Sequence, residues 1–227
     1  MTRRNWPDLQ EAPNYRIAEA AAYLRLPLST LRAWLLGQAG FRSVIRIADP
    51  KSRGLSFVNL VEAHVLAGMR RQHGVPLKNA RRAIEYVSKT LKIERPLANQ
   101  QFETDGLDLY LHHLDQVLNA SKGGQQGMAE LLKGYLRRID RDPSGVPIKL
   151  YPLTRAADPD SQPRTVVIDP RVSFGRPVIA GTGIPTAVLA ERFKAGESVQ
   201  ALAEDYGAEK TAIEEAIRVE LDLRIAA

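Results

Sequence analysis

The stretch from Tyr15 to Trp34 constrains the fold more than any other part of this sequence. Apolar residues recur at helical spacing from 17 to 24, and Pro27, which has no backbone N–H to lose in a first turn, favours the start of a second helix over 27–36. The second helix is expected to turn Leu28, Leu31 and Leu35 inward and Ser29, Arg32 and Ala33 outward. Two short helices joined by a tight turn predict a helix-turn-helix.

Such a helix pair has two interpretations. Its second helix is slim enough for the major groove of DNA and carries hydroxyl and guanidinium donors that can reach base edges. A helical hairpin inside some other core would show the same short pattern. Evidence from the rest of the sequence is needed to choose between them.

The distribution of charge favours DNA binding. The chain has 227 residues and a formal net charge of +6. Residues 1–100 hold 17 Lys and Arg against 7 Asp and Glu, a net of +10, whereas residues 101–227 hold 15 against 19, a net of −4. We therefore expect the front of the chain to bind a polyanion and the back to do something else.

A basic hairpin is predicted directly after the second helix. Residues 41–47 alternate in the manner of a strand, Asp49 to Gly54 carry turn residues, and 55–58 form a second short strand. This hairpin would be a wing whose cations contact phosphate, although a solvated hairpin has the same pattern. The predicted DNA-binding residues are Arg16, Arg25, Ser29, Thr30, Arg32, Trp34, Arg42, Arg46, Lys51 and Arg53.

Two further helices are predicted, one capped by Ser56 and ending near residue 72, the other over 77–90. Residues 15–87 resemble the DNA-binding domain of MerR-type regulators. The matching pieces are Tyr15-Arg-Ile-Ala-Glu-Ala-Ala, Ser29-Thr-Leu-Arg-Ala-Trp, Leu55-Ser-Phe-Val-Asn-Leu and Met69-Arg-Arg-Gln-His-Gly-Val-Pro-Leu-Lys-Asn-Ala. The resemblance implies a winged helix-turn-helix that binds operator DNA as a dimer. Ala33 departs from the aromatic residue usual before Trp34, so one backbone contact is missing.

The middle of the chain, residues 91–164, has weaker patterns. Gln100 to Leu111 predict a hairpin with Asp105-Gly106 at its turn. Beyond it, residues 109–119 fit either a strand or a helix, 121–127 a flexible loop, 128–139 an amphipathic helix and 146–153 a strand.

From Thr165 the sequence predicts an edge strand over 165–170 and three helices, over 186–194, 199–206 and 209–222. The last two helices also have helix-turn-helix spacing. The last one, however, carries Glu209, Glu214 and Glu215, which phosphate would repel. This part of the chain is therefore predicted to contact protein.

Residues 169–221 resemble the domain-of-unknown-function family 433. The motifs are Gly175-Arg-Pro-Val-Ile, Gly181-Thr-Gly-Ile-Pro and a Ser-x-x-x-Leu-Ala-x-x-Tyr helix from Ser198, with Gly183 where that family usually has Arg. That family supplies antitoxins of type II toxin–antitoxin pairs, usually facing a small PIN-like ribonuclease toxin. The resemblance implies a long VapB-type antitoxin. Glu209, Glu214 and Glu215 are then the candidate toxin-binding residues.

No pattern typical of an enzyme stands out. Gly181-Thr-Gly-Ile lacks a following Lys, and Pro185 interrupts any helix start that could cradle phosphate, so this is not a P-loop. The absence of cysteine excludes disulfides, a thiol nucleophile and a thiolate metal site. We predict a non-enzymatic protein that needs no metal or cofactor. Without a run of eighteen apolar residues or an apolar signal core, we expect it in the cytoplasm and away from membranes.

These inferences combine into one prediction. The fold is mainly α with small β elements: a winged helix-turn-helix over 1–90, an α/β middle segment over 91–164 and a three-helix module over 165–227. The leading hypothesis is a homodimeric antitoxin that represses its own operon. The second is a MerR-like regulator whose middle segment senses a small ligand, with no toxin partner. A nucleic-acid hydrolase is a weak third hypothesis.

Overall fold

The structure is a computed structural model that describes residues 6–38, 40, 42–71, 75–118, 122–155 and 158–225. Its helices are α1 Trp6–Glu11, α2 Ile17–Tyr23, α3 Leu28–Leu36, α4 Phe57–Arg71, α5 Leu77–Leu91, α6 Leu107–Leu118, α7 Lys122–Leu136, α8 Thr186–Lys194, α9 Val199–Tyr206 and α10 Lys210–Ile225. Its strands are β1 Ile139–Arg141, β2 Pro147–Leu150, β3 Val166–Val167 and β4 Val178–Ile179, which form two antiparallel pairs, β1 with β2 and β3 with β4. The prediction of a mainly helical chain with small β elements is confirmed.

The predicted helix pair of the front part is present as α2 and α3. Arg25 makes the turn between them with a φ of 52°, and Pro27 stands at the N-terminus of α3. The apolar side chains of Ile17, Ala20 and Leu31 are buried where the two helices meet. The two predicted helices and the tight turn between them are therefore confirmed.

Helix α4 is the centre of the molecule. Every residue from Phe57 to Met69 is buried, and the helix packs against α1, α7, β2 and the 3-10 turn Pro96–Ala98. Its start is capped reciprocally, because the Asn59 N–H donates to Ser56 Oγ over 3.2 Å and the Ser56 N–H donates to Asn59 Oδ1 over 3.2 Å. The predicted cap at Ser56 is confirmed.

The two strands predicted for the wing are wrong for the described residues. Phe41 lies outside them, residues 42–47 form an irregular segment, and Phe57 already belongs to α4. Asp49 and Gly54 form an antiparallel bridge, closed by two backbone hydrogen bonds of 3.1 Å, and Leu55 forms another with Tyr15. The helix cap at Ser56 ends the extended chain too early for a second strand to form.

The hairpin predicted over Gln100 to Leu111 is also wrong. The segment forms a π-helical turn, Phe102–Gly106, that continues into α6. Gly106 allows close packing, since a Cβ there would lie 3.0 Å from the Phe102 ring and 3.2 Å from Val87 Cγ1. The contact of α6 with α5 therefore overrides the local turn chemistry.

The loop predicted over 121–127 is mostly helix, because α7 begins at Lys122; Ser121 lies outside the described residues. The strand predicted over 146–153 is confirmed as β2, in a shorter form.

The C-terminal elements follow the prediction closely. Helices α8, α9 and α10 enclose a small core of Leu189, Leu202, Ile213, Ala216 and Ile217. Ser198 Oγ accepts a hydrogen bond of 3.1 Å from the Ala201 N–H at the start of α9, and Gly207 ends that helix with a φ of 60°. The predicted strand over 165–170 is observed as the two residues of β3.

This C-terminal module lies directly against α2 of the helix-turn-helix. Val219 of α10 packs with Val166, and Ala22 and Tyr23 of α2 pack against that pair. A polar contact supports it, because Arg176 forms an ion pair of 3.0 Å with Glu19. The predicted N-terminal and C-terminal parts of the chain are therefore in direct contact.

Candidate nucleic-acid interface

Helix α3 presents a mixed polar and apolar face to solvent. Ser29 and Arg32 are exposed and Leu36 is 42% exposed, whereas Thr30 is half-buried. These three exposed residues lie at spacings of three and four, on one side of the helix. Its opposite side is held in the core by Leu31 and Leu35, as predicted. A face of this kind can carry hydrogen-bond donors and an apolar group into a groove of DNA.

Trp34 is a structural residue and not a surface contact. Its side chain is 1% exposed, and the guanidinium of Arg70 lies 5.8 Å from the ring centroid. Its carbonyl accepts hydrogen bonds from the N–H groups of Val44 and Ile45, over 2.8 and 3.1 Å, which anchors the following loop. The prediction that Trp34 contacts DNA is therefore wrong, and so is the outward placement of Ala33, which is 8% exposed.

Arg25 serves an intramolecular contact. Its Nη1 donates a hydrogen bond of 2.6 Å to the carbonyl of Thr154, which is itself buried. The left-handed turn at Arg25 directs this side chain towards the segment that follows β2. Its guanidinium is therefore engaged inside the chain, and Arg25 is no longer a candidate DNA contact.

The loop after α3 carries outward cations on a compact frame. Arg42, Arg46, Lys51 and Arg53 are all exposed. The side chain of Asp49 accepts from Ser52 Oγ over 2.6 Å and from the Lys51 N–H over 2.9 Å, and these hydrogen bonds, the first above all, hold the pKa of Asp49 below its ordinary value. The cations are thus presented by an ordered turn without paired strands.

A buried polar cluster, which was not predicted from the sequence, fixes this loop to α4. Asn59 Nδ2 donates to the carbonyl of Arg46 over 2.8 Å and to Glu62 Oε2 over 2.9 Å, and Asn59 Oδ1 accepts from the Ala48 N–H over 3.0 Å. Glu62 also pairs with Arg95 at 3.0 Å. Burial raises the pKa of Glu62 to about 7, against the opposing charge of Arg95. The sequence signal that could have revealed this cluster is the carboxylate of Glu62 among the apolar positions of the predicted helix.

Arg16 is a further exposed cation among the predicted DNA contacts. Its side chain is 86% exposed, and its Nε lies 3.6 Å from a carboxylate oxygen of Glu19 at the start of α2. A pair this exposed is held weakly, so Arg16 is free to exchange Glu19 for phosphate. The structure therefore leaves the following predicted DNA contacts at the surface: Arg16, Ser29, Arg32, Arg42, Arg46, Lys51 and Arg53.

The three glutamates predicted to meet a protein partner do not share one surface. Glu209 and Glu214 are exposed, but Glu215 is 2% exposed and pairs with Arg155 at 2.6 Å. Burial alone would raise the pKa of Glu215, but the hydrogen bonds and the charge of Arg155 hold it below its ordinary value. The expectation that Glu215 faces a partner is wrong, since its charge is satisfied inside the chain.

Two comparisons with known proteins concern the sequence. The family model described as "Protein of unknown function (DUF433)" matches residues 166–218, which confirms the resemblance predicted for 169–221. The chain is 31% identical over 221 residues to "Putative antitoxin VapB45" of Mycobacterium tuberculosis, covering 87% of this chain and 89% of that protein. It is 24% identical over 229 residues to "Uncharacterized protein Rv2308" of the same organism, covering 93% and 92%.

A further comparison concerns the fold. The X-ray crystal structure of Rv2018 from Mycobacterium tuberculosis matches with a TM-score of 0.67 and 26% sequence identity, over 91% of this chain and 98% of that chain. The similarity thus extends through the helix-turn-helix, the middle helices and the C-terminal module together. No helix in the described part of the chain has the length and the apolar character needed to cross a membrane.

Proposed function

We propose that this chain, which belongs to the family of the putative antitoxin VapB45, is an antitoxin that binds operator DNA, represses its own operon and neutralises a PIN-like ribonuclease toxin. The observation that carries the proposal is the exposed face of α3, where Ser29, Arg32 and Leu36 project beside a loop of outward cations. The role is non-enzymatic, needs no cofactor and is performed in the cytoplasm.

The front of the chain, residues 1–90, divides the work of DNA binding between two sets of side chains. Arg42, Arg46, Lys51 and Arg53 contact the phosphate backbone, where charge supplies affinity without reading sequence. Ser29 and Arg32 reach base edges in the major groove. Because one recognition helix spans only a few base pairs, a homodimer reads a two-fold symmetric operator.

The C-terminal module, residues 165–227, binds the toxin. Glu209 and Glu214 are exposed around the start of α10, where Lys210 and Arg218 are exposed as well. A ribonuclease that binds RNA is expected to have a basic entrance, which an acidic surface complements and which it approaches faster by electrostatic attraction. The two glutamates are the toxin contacts of the proposal, and the buried Glu215 is not among them.

The alternative, a ligand-sensing MerR-like regulator, stays a hypothesis without a supporting observation of its own. It requires an effector pocket in the middle segment, residues 91–164. Phe102, Tyr110, Leu132 and Leu150 of that segment are fully buried in the same apolar cluster as α4. This packing favours a structural role for the segment.

Point substitutions in the full chain test the proposal, because the main apolar cluster extends from Tyr15 to Ile168 and a truncated chain would lose part of it. Arg32→Ala should weaken operator binding in a gel-shift assay and keep its ability to rescue cells that express the cognate toxin. The double variant Glu209→Lys, Glu214→Lys should do the reverse. Each variant therefore controls for the folding of the other.

The matched control for charge reversal is Glu85→Lys, at an exposed position on α5. It should preserve both operator binding and rescue. Rescue by the Glu209, Glu214 double variant at the wild-type level would move the toxin contact elsewhere. Failure of the wild-type chain itself to rescue would contradict the antitoxin assignment.

A further inference from the structure

Phe174 is the most exposed large apolar side chain in the described part of the chain, at 86% exposure. It also lies in strained backbone, because Ser173, Phe174 and Gly175 have consecutive φ values of 46°, 53° and 73°. Residues with a Cβ rarely adopt the left-handed region, and a phenylalanine there is a marked exception. Strain of this kind persists only where the surrounding structure enforces it, and it concentrates at functional sites.

The enforcing contacts come from the N-terminal part of the chain. Asn14 Nδ2 donates a hydrogen bond of 2.6 Å to the carbonyl of Phe174. Gly175 packs so closely on Tyr15 that a Cβ there would overlap the tyrosine hydroxyl oxygen. Tyr15 is 2% exposed and cannot move aside. The turn is therefore anchored on buried structure while the Phe174 ring is held in solvent.

A groove of 410 Å³ lies beside this ring, with room for a phenyl group. Beside Phe174, its lining includes Tyr23, Arg176, Pro177, Pro185, Ala187 and Glu220. The apolar walls come from the tyrosine, the prolines and the alanine. Its two charges are opposite and already paired, Arg176 with Glu19 at 3.0 Å and Glu220 with the Thr186 hydroxyl at 2.6 Å.

We propose that this surface, Phe174 together with its groove, is the contact between two copies of this chain, with the ring of each copy in the groove of the other. A projecting ring and a receiving groove on one patch are what an isologous two-fold contact requires. The balanced charge of the lining avoids repulsion between two identical surfaces, and it offers little to DNA or to a strongly basic partner. A buried aromatic anchor in a pocket is also the usual centre of binding energy at an interface.

The position of the surface suits the dimer of the proposed function, on which this assignment rests. Tyr23 belongs to α2, and Arg176 is bound to Glu19 of the same helix. A two-fold contact at this place therefore acts on the helix that supports α3. The orientation of the two recognition helices would be set by the dimer contact itself.

Sedimentation velocity of the full-length protein over a dilution series tests the assignment. Phe174→Asn removes the ring and retains a residue that tolerates the left-handed conformation. The dissociation constant of the dimer should rise by about 30-fold or more, the effect of losing an anchor residue. Phe193→Ala, which changes a 38% exposed phenylalanine at the other end of α8, should leave the constant unchanged.

A second variant covers the possibility that Phe174→Asn does not fold. Ala187→Arg places a large charged side chain at an exposed position of the groove wall and should weaken the dimer to a similar extent. An unchanged dissociation constant in both variants would overturn the surface while leaving the dimer intact. A monomeric wild type would overturn the dimer as well. A variant that stays dimeric but loses the toxin would reassign the surface to that partner.

Discussion

The carboxylate of Glu215 accepts two hydrogen bonds from the guanidinium of Arg155, from Nε over 3.3 Å and from Nη2 over 2.6 Å. The pair joins the segment after β2 to the buried side of α10. On the preceding residue, the carbonyl of Thr154 accepts from Arg25 in the turn of the helix-turn-helix. Two adjacent residues therefore connect the proposed DNA-binding and toxin-binding parts of the chain.

Glu215→Ala should lower the free energy of unfolding by about 1 to 3 kcal/mol, since it removes a buried carboxylate and leaves Arg155 without its partner. The neighbouring exposed position supplies the control, and Glu214→Ala should change stability by about 0.5 kcal/mol or less. Urea denaturation of both variants measures the difference. Equal losses would mean that the Arg155 pair contributes nothing to stability.

Stability should fall between pH 5 and pH 8 because of Glu62. Its pKa is raised from an ordinary value of 4.5 to about 7, so the folded state holds a proton that the unfolded state has released. The resulting stabilisation is complete below pH 4.5 and is lost as the pH rises through 7. For a fully buried group with this shift, we expect a change of about 1 to 3 kcal/mol.

Glu62→Gln provides the matching variant, because an amide resembles the protonated acid and does not titrate. The difference between the urea midpoints at pH 5.5 and at pH 8 should be smaller in this variant than in the wild type. Glu85→Gln, at an exposed position of α5, should behave like the wild type. The opposite result would be a wild-type midpoint that rises with pH and a rise that disappears in Glu62→Gln. It would show that ionisation of Glu62 stabilises the fold.

The two classes of proposed DNA contact should respond differently to substitution. Arg32→Ala should weaken binding to the operator by about 1 to 3 kcal/mol and relax specificity at one position. Arg53→Asn, chosen because asparagine tolerates the φ of 57° at this residue, should weaken binding to all sequences and reduce the salt slope by about one.

Fluorescence anisotropy with operator and scrambled duplexes at several salt concentrations separates these effects. Lys133→Ala, on α7 and paired with Glu130, is the control and should leave both quantities unchanged. If Arg32→Ala and Arg53→Asn lose affinity equally on both duplexes, Arg32 contacts only phosphate.

Arg138 should be among the residues least tolerant of change. It is 3% exposed, and burial lowers its pKa to about 10. Its guanidinium donates to the carbonyls of Tyr151, Pro152, Pro159, Gln162 and Pro163, over 2.8 to 3.4 Å. Arg138→Met leaves these acceptors without their donor and should cost about 3 kcal/mol or more.

The adjacent Arg137 offers a close comparison, because its pair with Asp160 is exposed on both sides. Arg137→Met should cost about 1 kcal/mol or less. Thermal unfolding followed by circular dichroism gives both values, and a tolerant Arg138 position would show that other donors replace it.

The helices could be predicted because their start and stop signals are local. Pro27 and Pro76 stand at the N-termini of α3 and α5, Ser198 caps α9, and Gly207 ends it. Each signal acts on backbone groups within four residues, so distant parts of the chain do not change its meaning. The surface positions of Ser29 and Arg32 follow from the same local periodicity.

Local signals failed where a distant contact outweighed them. Asp105-Gly106 has the chemistry of a hairpin turn, yet Gly106 packs on Val87 and the chain continues as a helix. Similarly, α1 lies in a segment for which no helix was predicted. A helix of six residues is not stable alone, and this one lies against α4.

The mainly helical fold, the pair of helices α2 and α3 and the excess of positive charge in the front of the chain follow from the sequence alone. These properties depend on residue type and on spacing along one element. Which faces are covered depends on the tertiary structure, because a helical period identifies an apolar face but not the element that packs on it. Trp34 was hidden by the core, and Glu215 could be buried because Arg155, sixty positions earlier, meets its charge.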